Sequence, residues 1–282
     1  MIHPPRRGLL RRMAHHLAHH GIASLRCDKR GCGGSGGHAD ASDYDTALAD
    51  NLAAFRWLRA RAEIDPARVG VAGHSAGAFN ACLLCRDEPA VACAGLLGAL
   101  HGPIDALVRD NWPRIARHWD AFTPEQRAWL KRERPREVIG AFRAEEFIAA
   151  AARGQDEIWL EAQGLGMAFN TVRFRQDLLR PVAAEFRHVA CPALVLHGGD
   201  DMNVRVDDAL GTYRALRAAG NSAVELLIIP GVDHSFQPVD PDPARRVWDR
   251  ISLATFGRPV SPLALAALSG WARRALHPAG AA

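Results

Sequence analysis

The sequence predicts an α/β fold in which a mostly parallel sheet carries helices on both faces and a helical cap is inserted. Three observations lead there. Short apolar runs alternate with amphipathic helical stretches through residues 1–100. A block rich in tryptophan and phenylalanine, without that rhythm, fills 101–187. The alternation returns over 188–258. Strand–helix alternation favours parallel strands joined by crossover helices, which then cover both sides of the sheet. The expected division is a core of 1–100 and 188–258, a cap of 101–187 and a C-terminal tail of 259–282. A chain of 282 residues suits one large domain with a lid, or at most two domains.

The elements follow in order. Residues 8–20 place Leu9, Leu10, Met13 and Leu17 on one helical face, and Gly21 stops the helix. Residues 22–26 read as a short apolar strand and 28–37 as a polar, glycine-rich loop. A second helix over 43–62 buries Leu48, Leu52, Phe55 and Leu58, and Asp65-Pro66 marks the break after it. A strand over 69–72 runs into Gly73-His74-Ser75-Ala76-Gly77, a helix over 76–86 follows, and 90–100 holds another buried strand. The cap carries Trp112, Trp119, Trp129 and Trp159 with Phe122, Phe142, Phe147, Phe169 and Phe174, and shows no clear strand. Its rings form either the cap's own core or the wall of an apolar pocket. A strand over 193–197, a helix over 206–219, a strand over 224–229 and a helix over 241–255 resume the pattern. Pro259, Pro262 and Pro278 then surround a short apolar helix, and the chain ends loosely.

Composition narrows the function classes. Hydrophobic residues make up 48%, enough for a sizeable core. The net charge is +4, and Lys29 and Lys131 are the only lysines among 35 basic residues. The densest basic run, Lys131-Arg132-Glu133-Arg134-Pro135-Arg136, has no interleaved aromatic residue and reads as a solvated helical face, not as a nucleic-acid site. No run approaches the roughly 18 apolar residues of a membrane span. Cys27, Cys32, Cys82, Cys85, Cys93 and Cys191 are scattered, and no signal peptide is read at the start. That predicts reduced thiols in a cytoplasmic protein. Cys82-x-x-Cys85 has no second pair and lies in an apolar helical run, so it reads as two small buried side chains. No metal or organic cofactor is implied.

The chemistry concentrates at Gly73-x-Ser75-x-Gly77, between a predicted strand and a predicted helix. A serine at such a turn stands clear of the backbone, and both glycines are expected to let neighbouring chain approach. The following helix aims its N-terminus at the site, which favours developing negative charge. Chance yields roughly 0.07 matches to this pattern in a chain of this composition. A serine hydroxyl needs a base. Among 13 histidines, His234 follows the predicted strand 224–229 and the turn Pro230-Gly231-Val232-Asp233. Loops at strand C-terminal ends are where open parallel sheets build sites. His197 is the competing base, while His74 reads as a structural part of the elbow. His15, His16, His19 and His20 belong to the first helix. The orienting acid belongs between serine and histidine in the chain, so Asp201 is preferred and Asp200 is the alternative. Asp233 reads as a turn residue.

These residues resemble a known family. Gly73-His74-Ser75-Ala76-Gly77, the stretch His197-Gly198-x-x-Asp201-x-x-Val204, and Gly231-Val232-Asp233-His234-Ser235-Phe236 resemble the three catalytic blocks of α/β-hydrolases. Leu25-Arg26-x-Asp28-Lys29-Arg30-Gly31-x-Gly33-x-Ser35 is similar to a segment of the esterase and acyl-peptidase-like branch, where it follows the fourth strand. The resemblance covers 8–256 and is specific for fold and triad, not for substrate. It implies an oxyanion hole made by the Ala76 N–H and a second N–H from a loop after an earlier strand, often marked by His-Gly. Here Met1-Ile2-His3-Pro4-Pro5 leads at once into the first helix, so the resemblance implies that the family's N-terminal strands are absent. A misassigned start, a degraded relative or a partner that supplies the edge would each account for that, and an open edge would permit a homodimer.

The expected activity is hydrolysis of a small-molecule acyl substrate, foremost a carboxylic ester, with Ser75, His234 and Asp201 as triad and a moderately apolar acyl or alcohol group. A peptidase or a thioesterase on the same triad is the first alternative. No acidic pair is obviously placed to grip a peptide amine, which favours the ester. A non-catalytic binding protein is the second alternative.

Overall fold

The computed structural model describes residues 8–38, 43–172, 174–175 and 182–277. Its strands, in chain order, are β1 (Val71–His74), β2 (Ala94–Leu97), β3 (Glu157–Ala162), β4 (Leu165–Asn170), β5 (Ala193–Gly198) and β6 (Val224–Ile229). Four of them form one wholly parallel sheet in the order β1-β2-β5-β6, with Leu97 opposite Leu196 and Leu196 opposite Leu227. The central strands β2 and β5 are buried along their whole length. A strand covered on both faces must be apolar at every position, not only at alternate ones.

The chain divides into two compact units. The first comprises 1–101, 182–246 and 254–282. On one face of its sheet, Leu97, Leu194 and Leu196 join Met13, Val260, Ala264, Leu268 and Trp271 in a continuous apolar cluster. Leu96 and Val195 alternate with them and point to the other face. The helices Ala76–Asp87 and Val206–Ala218 also pack against the strands. The helix Tyr44–Arg59 begins where the Asp43 carboxylate accepts from Thr46 N–H at 2.8 Å, a side-chain cap for an otherwise orphaned donor. In the glycine-rich loop, a Cβ on Gly33 would lie 2.1 Å from the Asp28 carboxylate, which accepts from Gly34 N–H at 3.0 Å.

One expectation for this unit needs correction. Residues 22–26 form no strand among the described residues, and Leu25 is 37% exposed. An apolar run becomes a strand only with a ladder partner for its backbone groups. The expected apolar helix of the C-terminal segment is present, and the expected loose end, 278–282, lies outside the described residues. A 15-residue helix, Pro262–Leu276, starts with proline at its first turn and buries Ala264, Leu268, Trp271 and Ala272 on one face. Its polar Ser269 interrupts the apolar pattern but is satisfied, 3.2 Å from the His16 ring.

The second unit comprises 102–181 and 247–253. It is helical, as expected, except for an antiparallel hairpin of β3 and β4, which corrects the reading that no strand lies there. Gln163 and Gly164 join the strands with φ of 57° and 75°, the left-handed pair of a type I′ turn. Its aromatic residues pack on one another: Trp112 on Phe147 at 4.8 Å, Trp119 on Phe142 at 5.5 Å, and Trp129 on Trp248 at 5.6 Å. These rings belong to the unit's own core. Trp159 is the exception, 62% exposed. In the basic run Arg132 pairs with Glu133, and Arg134, its side chain 13% exposed, pairs with Glu137. No helix of the described residues is long and apolar enough to cross a membrane.

Candidate active site

The first unit gathers the candidate residues at the C-terminal ends of β1, β2 and β5 and in the loop after β6. Ser75 separates β1 from the helix Ala76–Asp87 with φ 56° and ψ −121°. Its N–H donates to the Leu97 carbonyl at 2.8 Å, which carries the parallel register one residue past the strand. Gly73 is required by space, because a Cβ there would lie 1.9 Å from the Gly77 carbonyl oxygen. Gly77 is not: a Cβ on it would meet nothing within 4 Å, contrary to the expectation that both glycines relieve a clash. Ala76 opens the helix, so its N–H lies in the first turn, where no intrahelical acceptor exists.

The loops after β5 and β6 meet backbone to backbone. A Cβ on Gly198 would lie 2.4 Å from the Asp233 carbonyl oxygen, and Asp200 N–H donates to the Val232 carbonyl at 3.0 Å. The two adjacent carboxylates then take different partners. Asp200 accepts from Gly231 N–H at 2.9 Å and from Arg246 at 2.5 Å. Asp201 accepts from His234 Nδ1 at 2.6 Å through one oxygen, and from the N–H groups of Asn203 and Val204 at 2.7 and 2.9 Å through the other. Burial is the largest influence on Asp201 and opposes its charge. The His234 imidazole and its hydrogen bond, the Val204 amide and His197 outweigh it and hold the carboxyl below its ordinary range.

The other candidates also find definite places. Asp233 organises the turn, its carboxylate accepting from Ser235 and Gln237 N–H at 2.8 and 2.9 Å. His197 is fully buried, donates from Nε2 to the Val204 carbonyl at 3.0 Å and stands 3.6 Å from Asp201. Burial pushes its imidazole below the ordinary histidine range. His234 is 8% exposed, and its ring lies against Gly98, where a Cβ would come within 3.2 Å of it. Ser75 and His234 thus stand beside consecutive residues of β2's end, Leu97 and Gly98. Among the described residues, no hydrogen bond joins the Ser75 hydroxyl to the His234 ring. No group of three His, Cys, Asp or Glu side chains among the described residues is arranged to hold a metal ion.

One contact has no signal in the sequence. His74, the last residue of β1, hydrogen-bonds through Nε2 to the backbone carbonyl of His234 at 2.7 Å. The two rings lie 4.6 Å apart. A carbonyl only accepts, so Nε2 carries the proton. Burial, reinforced by the His234 imidazole, pushes the His74 ring down to about 3.

A parallel sheet flanked by helices, with an elbow serine and an acid–imidazole pair at its strand ends, defines an α/β-hydrolase. The profile of the family described as serine aminopeptidase, S33, matches residues 7–242, and the chain belongs to that family. An uncharacterized protein of Mycobacterium tuberculosis (strain H37Rv) is 30% identical over 143 residues, 47% of this chain and 49% of that protein. The match thus spans about half the length of that relative. The chain is similar to an esterase of Pyrococcus furiosus, with a TM-score of 0.56 and 15% identity over 95% of this chain and 75% of that one. In another crystal form of that esterase the chain covers 66% of its length. It is also similar to Est1E of Butyrivibrio proteoclasticus bound to ferulic acid, with a TM-score of 0.53 and 18% identity over 89% of this chain and 84% of that one. At these identities the solved structures establish the fold.

Proposed function

We propose that the chain is a serine hydrolase that cleaves an acyl bond, foremost a carboxylic ester of a small molecule. Ser75 is the nucleophile, His234 the general base and Asp201 its orienting acid. The observation that carries this reading is the 2.6 Å bond from His234 Nδ1 to a buried carboxylate, beside an elbow serine held at φ 56°. Donation through Nδ1 leaves Nε2 as the acceptor, the tautomer a general base needs. The Ser75 hydroxyl turns about χ1 toward Nε2, transfers its proton and attacks the carbonyl carbon. The Ala76 N–H stabilises the oxyanion. His234 then protonates the leaving alcohol, and water, deprotonated by His234, releases the acid from the acyl-serine. Catalytic hydrogen bonds are often unmade before substrate binds, so a Ser75 hydroxyl not yet bonded to His234 is compatible with this sequence of steps.

The likeness to two esterases favours an ester, whereas membership of the serine aminopeptidase family favours a peptidase. A substrate panel separates them. The parent chain is expected to hydrolyse p-nitrophenyl acetate or butyrate faster than aminoacyl p-nitroanilides and to be labelled by a fluorophosphonate. Ser75→Ala is expected to lose both properties. Equal turnover by parent and Ser75→Ala would reject the assignment.

A further inference from the structure

We propose that His74 is a positioning residue that sets the distance between the Ser75 elbow and His234. The proposal rests on the reading of Ser75 as nucleophile and His234 as base. The loop carrying His234 is fastened to the loop carrying Asp201 and to residues 258–261, where Ser261 N–H donates to the Phe236 carbonyl and the Gln237 amide to the Arg258 carbonyl, both at 2.7 Å. Gly231 N–H donates to Asp200, Asp200 N–H donates to Val232, and Gly198 lies against the Asp233 backbone. These contacts, with the Asp201 bond, fix the imidazole's rotation relative to its acid. None of these contacts reaches the elbow that carries Ser75.

The His74 bond does. Among the described residues it is the hydrogen bond that joins the elbow to the His234 loop, between a ring one residue before Ser75 and the backbone of residue 234 itself. Both rings rest on the same floor, since a Cβ on Gly98 would come within 3.6 Å of His74 and 3.2 Å of His234. Phe236 closes the other side, edge-on to His74 at 6.1 Å, with its own backbone in the left-handed region at φ 56°. A ring pinned between a glycine floor and a phenylalanine cannot slide without moving the loop. The charged and titratable neighbours of His74 are His234, Asp201 and His197. The ring therefore works as a neutral donor and does not compete with His234 for the serine proton.

The test compares three variants with the parent. Gln places an amide N–H near the position of Nε2, Asn ends short of the carbonyl, and Leu removes the donor. Misplacement of a catalytic group by about 1 Å costs up to about a hundred-fold in rate. We therefore expect His74→Leu and His74→Asn to lower kcat by about ten- to a hundred-fold per active site, with KM nearly unchanged. Rates are normalised by fluorophosphonate titration, so loss of folded protein does not mimic the effect. His74→Gln is expected to stay within about three-fold of the parent, because it keeps the hydrogen bond. Hydrogen exchange supplies a readout independent of turnover: amides of residues 231–239 exchange faster in the Leu and Asn variants and at the parent rate in Gln. Should His74→Leu fail to fold, the Asn and Gln pair carries the comparison. Parent-like kcat and parent-like exchange in His74→Asn would overturn the proposal. A parent chain without hydrolase activity or labelling would instead overturn the functional reading, while the exchange data would still decide whether His74 fastens the loop.

Discussion

Asp201 and His234 are joined by a 2.6 Å hydrogen bond in which the carboxylate side chain has no exposed surface and the imidazole is donor through Nδ1. Asp200, the neighbouring carboxylate, is bonded instead to Gly231 and Arg246. Removing each charge should therefore have different effects. Asp201→Asn is expected to lower kcat by about 10⁴-fold, since the amide favours the wrong imidazole tautomer. Asp200→Asn is expected to act through loop stability, with at most about a ten-fold loss of kcat. Steady-state kinetics on the two purified variants would decide, and equal losses would contradict the assignment of roles.

The two glycines of the elbow should respond unequally. Gly73→Ala puts a methyl group 1.9 Å from a backbone oxygen and is expected to abolish the native elbow, seen as loss of fluorophosphonate labelling and a lower Tm. Gly77→Ala enters open space within the helix Ala76–Asp87. It is expected to raise stability by about 0.5–1 kcal/mol through helix propensity. Thermal unfolding of both variants distinguishes them.

Acid should weaken the fold before any carboxylate is titrated. His74 has a folded value of about 3, against an ordinary value of 6.5. Above 6.5 neither state protonates. Between 6.5 and 3 the unfolded chain takes up a proton that the folded chain refuses, so stability falls as pH falls, by about 1.4 kcal/mol per pH unit for one such group. His197, lowered by burial, contributes with the same sign. Asp201, held low overall, adds stability that is lost only below the ordinary carboxylate range. Urea unfolding at pH 7 and pH 5 is expected to show the lower midpoint at pH 5, with a smaller difference in His74→Gln. A midpoint independent of pH would contradict the burial of both rings as neutral species.

Trp271 is 3% exposed in the helix Pro262–Leu276 and belongs to the same apolar cluster as Leu194, Leu196 and Leu268. Trp271→Ala should destabilise by about 3–5 kcal/mol, the cost of a large aromatic lost from a packed core. Denaturant melts would register the change as a shift in midpoint.

Much of the first unit was legible because its signals are local. Gly73-x-Ser75-x-Gly77 directly after a short apolar strand announces an elbow, and the distance in sequence from Ser75 to His234 does not obscure it, because chain order is part of the fold's logic. The choice between Asp201 and Asp200 is not local. Both residues follow the same strand, and only their tertiary contacts separate them: Gly231 and Arg246 on Asp200, and His234, Asn203 and Val204 on Asp201. The β3–β4 hairpin is hard to read although Gln163-Gly164 is a two-residue turn, because the density of helix-forming residues around it masks a period of two. Residues 22–26 failed in the opposite way, offering a strand's composition without a neighbour to pair with. The bond from His74 to residue 234 had no sequence signal, since a histidine beside a nucleophile looks alike whether its ring is idle or engaged.

The backbone of Ser75 carries a further consequence. At φ 56° and ψ −121° an L-residue with a side chain is strained, by roughly 1–3 kcal/mol, and glycine is not. The fold therefore holds a strained residue at the position proposed as the nucleophile. Ser75→Gly should yield a chain that melts later than the parent while labelling with nothing. Selection for heat resistance alone would drive this protein toward inertness at that one position.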